Sequence, residues 1–254
     1  MANQYLNYIS DEHLLSCIKK LHHSYLKAKN DVTKAKFYKN KIDIIKLTFD
    51  TKFNDIDEEG LIESESLRQI DKSINNSIGT FHENILGGIE GYQSGKLSGY
   101  DIKSEDDTLF ADIKNKHNTM NSSAAEALFQ KLATYANNYK KSKCYWVQIL
   151  ANSSFESPWS AIINGKEYSH TRVLKISGDR FYSLLTGEDD ALFQLYNVIP
   201  AATEEYLSTL TSTEEIAKNS ALFEIKELTS RSNRTMLDQI TFDNYSYYKG
   251  FENI

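Results

Sequence analysis

The stretch GYDIKSEDDTLFADIKNKHNT, residues 99–119, decides the fold of this chain. Its middle, Glu105-Asp106-Asp107-Thr108, has the composition of a turn, because Asp and Thr side chains bond readily to the nearby backbone. On either side, residues 97–103 and 109–115 alternate between apolar and polar side chains, which is the period of a strand with one buried face. The stretch therefore predicts an antiparallel hairpin.

The position of this turn also predicts which residues face each other. If residues 105–108 form the loop, Ser104 pairs with Leu109, and Asp101 lies directly opposite Asp112. The Cβ atoms of such cross-strand partners are about 5 Å apart. Lys114 shares their face of the hairpin because it lies two residues beyond Asp112. The remaining apolar residues point to the opposite side, toward a core: Leu109, Ala111 and Ile113.

The charged face is either a solvated ribbon or a metal site. Two carboxylates at this separation repel each other unless a cation joins them or one of them binds a proton. Oxygen ligands without a Cys or His cluster favour Mg²⁺ or Mn²⁺ over zinc. A hard cation beside a lysine suits phosphodiester hydrolysis, because both stabilise the negative charge that develops on the phosphate. Asp101, Asp112 and Lys114 alone are nevertheless a weak signal.

The segments around the hairpin alternate between helical and extended patterns. Apolar residues recur every three or four positions from Leu67 to Ile89, which predicts a helix with a core-facing stripe that ends near Gly87 and Gly88. After the hairpin, Ser123 and Glu126 match a capping box and predict the start of another helix.

Two further strands are predicted at residues 144–150 and 172–176. The segment between them reads as a hairpin insertion with a turn at Asn164-Gly165. This order of elements predicts an α/β fold, a central mixed β-sheet flanked by helices, with an N-terminal helical region.

The N-terminal region is predicted to be helical and is rich in lysine. One helix is expected after Ser10 and Asp11, and a second from Phe37 to Phe49. Eight lysines occupy residues 27–52 against three aspartates, which indicates either a solvated helix surface or a surface that contacts phosphate. The lysines are Lys27, Lys29, Lys34, Lys36, Lys39, Lys41, Lys46 and Lys52.

Length and composition favour one domain in a reducing compartment. The 254 residues are predicted to form a single domain, with a basic helical region at 1–60, the catalytic core at 62–187 and a mostly helical region at 188–254. A net charge of −6 argues against coating of nucleic acid by bulk positive charge, but a local basic cleft stays possible. Two distant cysteines and the lack of a long apolar run predict a cytoplasmic protein without disulfides or membrane spans.

The order helix, acid-bearing hairpin with Asp-x-Lys, helix, strand resembles the core of the PD-(D/E)XK nuclease superfamily. The closer resemblance is to type II restriction endonucleases that cut GGNCC-type sites. Four blocks carry it, namely FHENILGGIEGY, GYDI, FADIKNKHNTMNSS and VLKISGDRFYSLLTG, between Phe81 and Gly187. The chain departs from the superfamily pattern at Tyr100, which replaces the proline, and at Asp112, where glutamate is commoner.

This resemblance implies roles for individual residues. Asp101 and Asp112 would be metal ligands, and Lys114 would be the catalytic lysine. Glu83 would be the helix carboxylate that completes the metal site, with Glu90 as the alternative. The resemblance also implies Mg²⁺ as the cofactor, for which Mn²⁺ can substitute.

The implied activity is site-specific hydrolysis of double-stranded DNA at a short GC-rich palindrome such as GGNCC, leaving 5′-phosphate ends. Reading a palindrome implies a homodimer, and a restriction enzyme of a prokaryotic cytoplasm implies a cognate DNA methyltransferase. Two alternatives stay open: a PD-(D/E)XK repair or recombination nuclease that recognises DNA structure, and a catalytically inactive DNA-binding protein.

Candidate DNA contacts are polar or basic residues near the expected cleft, in the hairpin insertion and in a C-terminal SRSNR segment. Arg and Lys read guanine most often, but each is individually more typical of a phosphate contact or a surface ion pair. The candidates are Lys116, His117, Asn118, Asn121, Ser122, Lys166, His170, Arg172, Arg231 and Arg234.

Overall fold

A mixed six-stranded sheet organises the part of the chain that carries the hairpin. The structure is a computed structural model that describes residues 3–39, 41–95, 99–116, 120–210, 220–232 and 234–246. The strands are β1 (Tyr92–Ser94), β2 (Ile102–Ser104), β3 (Leu109–Lys116), β4 (Lys143–Leu150), β5 (Glu156–Ile163) and β6 (Lys166–Ser177). Their order across the sheet is β1-β2-β3-β4-β6-β5. The three central strands β3, β4 and β6 are parallel, and the outer pairs are antiparallel.

Helices precede, interrupt and follow these strands along the chain, as the predicted α/β class requires. They are α1 (Asp11–Asn30), α2 (Lys34–Lys39), α3 (Ile44–Asn54), α4 (Glu58–Leu86), α5 (Ser122–Asn138), α6 (Gly178–Thr186), α7 (Ala191–Ser208), α8 (Ser220–Ser232) and α9 (Met236–Tyr245). The parallel strands β3 and β4 need a crossover connection, and α5 supplies it. The predicted mixed sheet with flanking helices is confirmed.

Both faces of the central strands are covered. On one face, Phe110 of β3 packs with Leu128 and Leu132 of α5. On the other face, Ala111 of β3 lies in a cluster with Phe181 of α6 and with residues of α1, α4 and α7. The prediction that Leu109, Ala111 and Ile113 face a core is confirmed, since all three are buried in this second cluster. Strands buried on both faces fix the position of any polar side chain they carry.

The β2–β3 hairpin has the predicted loop and register. Ile102 pairs with Ala111 and Lys103 with Phe110, and the loop comprises residues 105–108. The Ser104 hydroxyl accepts hydrogen bonds from the backbone N–H groups of Thr108 (3.0 Å) and Leu109 (2.9 Å), which closes the turn. The predicted first strand was too long, however, because β2 covers Ile102–Ser104 only, and residues 96–98 lie outside the described residues.

The segment after β4 is part of the central sheet and not an insertion into it. The predicted turn at Asn164-Gly165 is confirmed, with positive φ angles of 52° and 76° at these residues. Its two strands, β5 and β6, continue the sheet, and the predicted strand 172–176 is the second half of β6. The interpretation as an insertion was therefore wrong, because the long strand β6 pairs with β5 and β4 at once.

Two helix predictions needed correction. The predicted helix from Phe37 to Phe49 is two helices, α2 and α3, because the side chain of Asp43 caps a new start by accepting the N–H groups of Ile45 and Lys46. The predicted stripe of α4 is not buried throughout: Phe81 and Ile85 are buried and Ile70 is partly buried against an apolar cluster, whereas Leu67 is 64% exposed. The predicted end of this helix before Gly87 is confirmed.

One glycine marks a close contact between α6 and the sheet. A Cβ atom added to Gly178, the first residue of α6, would lie 2.5 Å from the carbonyl oxygen and 2.8 Å from the Cα atom of Ile149 in β4. The backbones therefore touch where β6 turns into α6. Gly79, inside α4, differs because an added Cβ would meet no atom within 4 Å.

The chain forms two compact units. The first comprises Met1–Leu21 with Ser77–Thr211 and contains the sheet, and the second comprises His22–Asn76 with Ser212–Ile254. The second unit has its own apolar cluster, in which Phe37, Ile62, Ile225 and Ile240 are buried. The single nuclease domain over residues 1–254 stays a prediction.

Both cysteines are buried with free thiols. Cys17 lies in α1 and Cys144 in β4. Burial raises the pKa of each thiol to about 11, so both are protonated at neutral pH. Within the described parts of the chain, no helix has the length and apolar character needed to cross a membrane.

Candidate active site

The hairpin brings Asp101 and Asp112 together. Regular pairing of β2 with β3 begins at Ile102 and Ala111, and Asp101 directly precedes it, near enough to Asp112 for the two carboxylates to interact. The direct pairing of Asp101 with Asp112 stays a prediction. The Asp101 N–H donates to the carbonyl oxygen of Ala111 at 2.9 Å, and the Ile113 N–H donates to Asp101 Oδ2 at 2.6 Å. These two bonds fix both the backbone and the carboxylate of Asp101 against β3.

The carboxylate of Asp112 is enclosed by two ammonium groups. Asp112 is only 4% exposed. Lys114 Nζ donates to its Oδ1, and Lys131 Nζ donates to its Oδ2. Lys114 is the residue that the Asp-x-Lys pattern predicts, and it lies on the predicted face. Each oxygen of the buried carboxylate thus has its own cationic partner, which is the usual condition for a buried charge.

The two aspartates influence each other electrostatically. Burial raises the pKa of the Asp101 carboxyl, and the neighbouring charge of Asp112 raises it further. The Ile113 N–H and the two lysines oppose this shift. Two adjacent carboxylates with oxygen-only donors fit a hard divalent cation, which would remove their mutual repulsion.

The third metal ligand stays a prediction. Among the described residues, no group of three His, Cys, Asp or Glu side chains is arranged to hold a metal ion. Glu83 is partly buried in the last turns of α4, and Glu90 is exposed in the turn that follows. Neither residue joins Asp101 and Asp112 in a three-carboxylate cluster.

Strand β4 provides the neighbouring wall of the site. In the parallel register, Trp146 lies beside Asp112, and Gln148 lies beside Lys114. Gln148 is buried, and so is the indole nitrogen of Trp146. Gln148 is a polar residue in the otherwise largely apolar segment CYWVQIL, and the register places it next to the predicted catalytic lysine.

The candidate DNA contacts are spread over several elements. Lys116 is exposed at the end of β3, while His117 and Asn118 lie outside the described residues. Asn121 and Ser122 are exposed at the start of α5, and the Asn121 side chain caps that helix by accepting the Ala124 N–H at 2.9 Å. The capping box predicted at Ser123 was wrong, because Asn121 is the capping residue. The Glu126 carboxylate accepts a hydrogen bond from the hydroxyl of Tyr168.

Arg172 and His170 have partners within the protein. Arg172 Nη1 donates to the carbonyl oxygens of Tyr139 (3.0 Å), Lys140 (2.8 Å) and Ser142 (3.3 Å), which follow α5. The Arg172 N–H donates to His170 Nδ1 at 3.1 Å. Burial lowers the pKa of His170, and the charge of Arg172 lowers it further. A DNA contact of either residue stays a prediction.

The other basic candidates are exposed or lie in the second unit. Lys166 is exposed beside the β5–β6 turn, with its ammonium 5.2 Å from the centre of the Tyr168 ring. Arg231 pairs with Glu227 at 2.5 Å in α8. The guanidinium of Arg234 lies 3.9 Å from the centre of the Phe242 ring. Both arginines belong to the unit without the sheet.

The sequence did not identify Lys131. This residue lies in α5 next to the apolar positions Leu128 and Leu132, which pack on the sheet. A lysine beside the buried stripe of the helix that directly follows the Asp-x-Lys strand was the available signal. Lys131 is distant from Asp112 along the chain, and only the packing of α5 on β3 brings the two side chains together.

Comparison with known proteins identifies the family of this chain. The family model described as Eco47II restriction endonuclease matches residues 6–208. The chain is 40% identical to the type II restriction enzyme Sau96I of Staphylococcus aureus, over 96% of this chain and 97% of the relative. It is 32% identical to the type II restriction enzyme Eco47II of Escherichia coli, over 80% of this chain and 88% of the relative.

These matches include both the hairpin and the helix that carries Lys131. They favour the restriction enzyme over the repair nuclease and over the inactive DNA-binding protein. Enzymes of this type cut DNA within restriction-modification systems and generally need a divalent metal ion. The chain belongs to the Eco47II restriction endonuclease family, and it is a type II site-specific deoxyribonuclease built on an α/β PD-(D/E)XK core.

Proposed function

We propose that this restriction endonuclease uses Mg²⁺ to hydrolyse both strands of DNA at a GGNCC-type site, leaving 5′-phosphate ends. The observation that carries the proposed chemistry is the proximity of Asp101, Asp112 and Lys114 at the hairpin. The GGNCC-type site rests on the resemblance of four sequence blocks between Phe81 and Gly187.

Asp101 and Asp112 would hold the metal ion, with Glu83, or Glu90 in its place, as the helix carboxylate. The bound ion supplies Lewis acidity, which polarises a phosphoryl oxygen and lowers the pKa of the attacking water. The protein positions the two aspartates beforehand, because the Ile113 N–H fixes one carboxylate and burial fixes the other. Preorganisation of this kind removes the cost of assembling the site during the reaction.

Lys114 would act on the phosphate. Its ammonium lies beside Asp112 and its side chain is 34% exposed, so it is accessible from the side where DNA would bind. A lysine there stabilises the negative charge that develops on the phosphoryl oxygens or orients the attacking water. Cleavage of the P–O3′ bond then gives a 5′-phosphate and a 3′-hydroxyl.

The enzyme would act as a homodimer, because a palindromic site presents the same sequence twice and two copies of one surface can read it. The basic and polar candidates would provide phosphate and base contacts, and a cognate methyltransferase would protect the host DNA. The DNA contacts proposed are Lys116, His117, Asn118, Asn121, Ser122, Lys166, His170, Arg172, Arg231 and Arg234.

Digestion of a sequenced plasmid with and without Mg²⁺, followed by end mapping, tests this function. We expect discrete fragments with 5′-phosphate ends at GGNCC-type sites, and smearing or cleavage only at junctions would contradict the site specificity. Asp112→Asn and Lys114→Ala should lose activity by at least about 100-fold. Glu105→Gln is the matched control, because Glu105 is an exposed acid on the turn of the same hairpin. Unchanged cleavage by Asp112→Asn would refute the proposed site.

A further inference from the structure

Among the residues that the structure describes, Lys131 is the partner of the Asp112 carboxylate that comes from outside the hairpin. It belongs to α5, and its ammonium donates to Asp112 Oδ2 while Lys114 occupies Oδ1. The side chain of Lys131 is 35% exposed, against 6% for that of Asp112. The ammonium therefore joins a buried acid to a surface that solvent reaches.

The charges of this group cancel. Counted by formal charge, the carboxylates of Asp101 and Asp112 carry two negative charges, and the ammonium groups of Lys114 and Lys131 carry two positive charges. A divalent ion held by both aspartates would add two positive charges to a group that is already neutral. At least one of the two lysine ammonium groups would then lie close to the metal ion, on the same Asp112 carboxylate. The repulsion between these two positive charges is unfavourable in a partly buried site.

The packing of α5 prevents Lys131 from moving far. Leu128 and Leu132 on either side of it are buried against the sheet, so the Cα atom of Lys131 is held at the site. Its side chain is long and flexible, and its terminal group can rotate outward while its stem stays in place. DNA phosphate is the negative partner that such an ammonium would meet when DNA binds.

We propose that Lys131 changes partner during the reaction cycle. In the metal-free protein its ammonium holds Asp112 and balances its charge, and when the metal ion binds, the ammonium transfers to a phosphate of the bound DNA. Lys131 is thus a positioning residue that links metal binding to DNA binding. This inference rests on the proposed metal site at Asp101 and Asp112.

Metal binding without DNA provides the first test. Titration of the protein with Mn²⁺, followed by the electron paramagnetic resonance signal of free Mn²⁺, measures affinity independently of cleavage. Lys131→Gln removes the competing charge and should bind Mn²⁺ about 3- to 10-fold more tightly, the range of a partly exposed ion pair. Lys131→Arg keeps the charge and should bind Mn²⁺ as the unaltered protein does.

DNA binding provides the second test. The affinity for a duplex containing the cleavage site is measured with Ca²⁺, and again with EDTA. Lys131→Gln should weaken binding about 3- to 10-fold with Ca²⁺ and lower the salt dependence by about one phosphate contact. The difference should nearly vanish in EDTA, where the lysine is engaged by Asp112. Lys141→Gln, which removes an exposed lysine after α5, is the matched control and should show no such metal-dependent difference.

The outcomes separate this inference from the proposed function. If Asp112→Asn loses Mn²⁺ binding but Lys131→Gln binds Mn²⁺ as the unaltered protein does, the metal site stands and the partner change is refuted. Equal weakening of DNA binding with Ca²⁺ and EDTA also refutes it, because Lys131 would then be a constant phosphate contact. If Asp112→Asn leaves Mn²⁺ binding intact, the proposed site itself fails. Lys131→Met, which keeps the apolar stem, replaces Lys131→Gln if circular dichroism shows that the glutamine variant does not fold.

Discussion

Substitution of Gly178 by alanine should destabilise the unit that contains the sheet and the proposed active site. The added Cβ would lie 2.5 Å from the carbonyl oxygen of Ile149, whereas ordinary contacts begin at 3.4 Å. The start of α6 would have to withdraw from β4 by the difference, 3.4 − 2.5, or about 0.9 Å. The obstacle is the backbone of a central strand, so it cannot rotate away as a side chain would.

The size of the effect follows from the cost of overpacking. Such clashes in a packed interior cost about 1–3 kcal/mol, and a clash with backbone belongs at the upper end of that range. For a domain of this size, about 3 kcal/mol corresponds to a decrease in Tm of about 6–12 °C. Gly79→Ala is the matched control, because it is the same substitution in the same unit at a helical position with open space. It should raise Tm by about 1–4 °C, since alanine favours the helix by about 0.5–1 kcal/mol.

The assay is thermal unfolding of both variants followed by circular dichroism, with DNA cleavage measured well below Tm. We expect Gly178→Ala to unfold early but to retain cleavage at low temperature, because Asp101, Asp112 and Lys114 are unchanged. A Gly178→Ala protein as stable as the unaltered chain would refute the close packing of α6 on β4.

Two further predictions concern residues of the same unit. Arg172→Lys loses the guanidinium that bonds three carbonyl oxygens after α5. We therefore expect chemical denaturation to show a free energy of unfolding that is lower by about 1 kcal/mol. Weaker DNA binding at unchanged stability would instead indicate a DNA contact. Cys17 and Cys144 are buried, and burial raises the pKa of each thiol to about 11. Neither thiol should therefore react with a thiol reagent at pH 8 while the protein is folded. Both should react once guanidinium chloride unfolds the chain. Rapid labelling of the folded protein would contradict their burial.

The hairpin could be predicted because its signals are local. Turn residues 105–108 and the two-residue period predicted the register of β2 and β3, and this register indicated that Asp101 and Asp112 lie close together. Lys114 shares a strand with Asp112, so the same period placed it on the correct face. These inferences need no knowledge of how distant segments pack.

The features that were missed depend on tertiary packing or on competing local caps. Lys131 reaches Asp112 only because α5 lies on β3, and the rotation of a helix about its axis is set by packing on the sheet. The carbonyl partners of Arg172 could not be predicted either, because they lie about thirty positions away along the chain. Asn121 was preferred over Ser123 as the cap of α5, a choice between two good capping residues that propensity alone does not decide.

The buried apolar side of the hairpin also fixes the strand register on which the positions of its charged residues depend. Ile102 is fully buried and pairs with Ala111, so a slip of β2 by one residue would turn Ile102 toward solvent, at a cost of about 2 kcal/mol. The same slip would separate Asp101 from Asp112. Hydrophobic burial therefore selects the register that the proposed active site requires, and a polar substitution at Ile102 should lower cleavage although Ile102 is not one of the proposed metal ligands or DNA contacts.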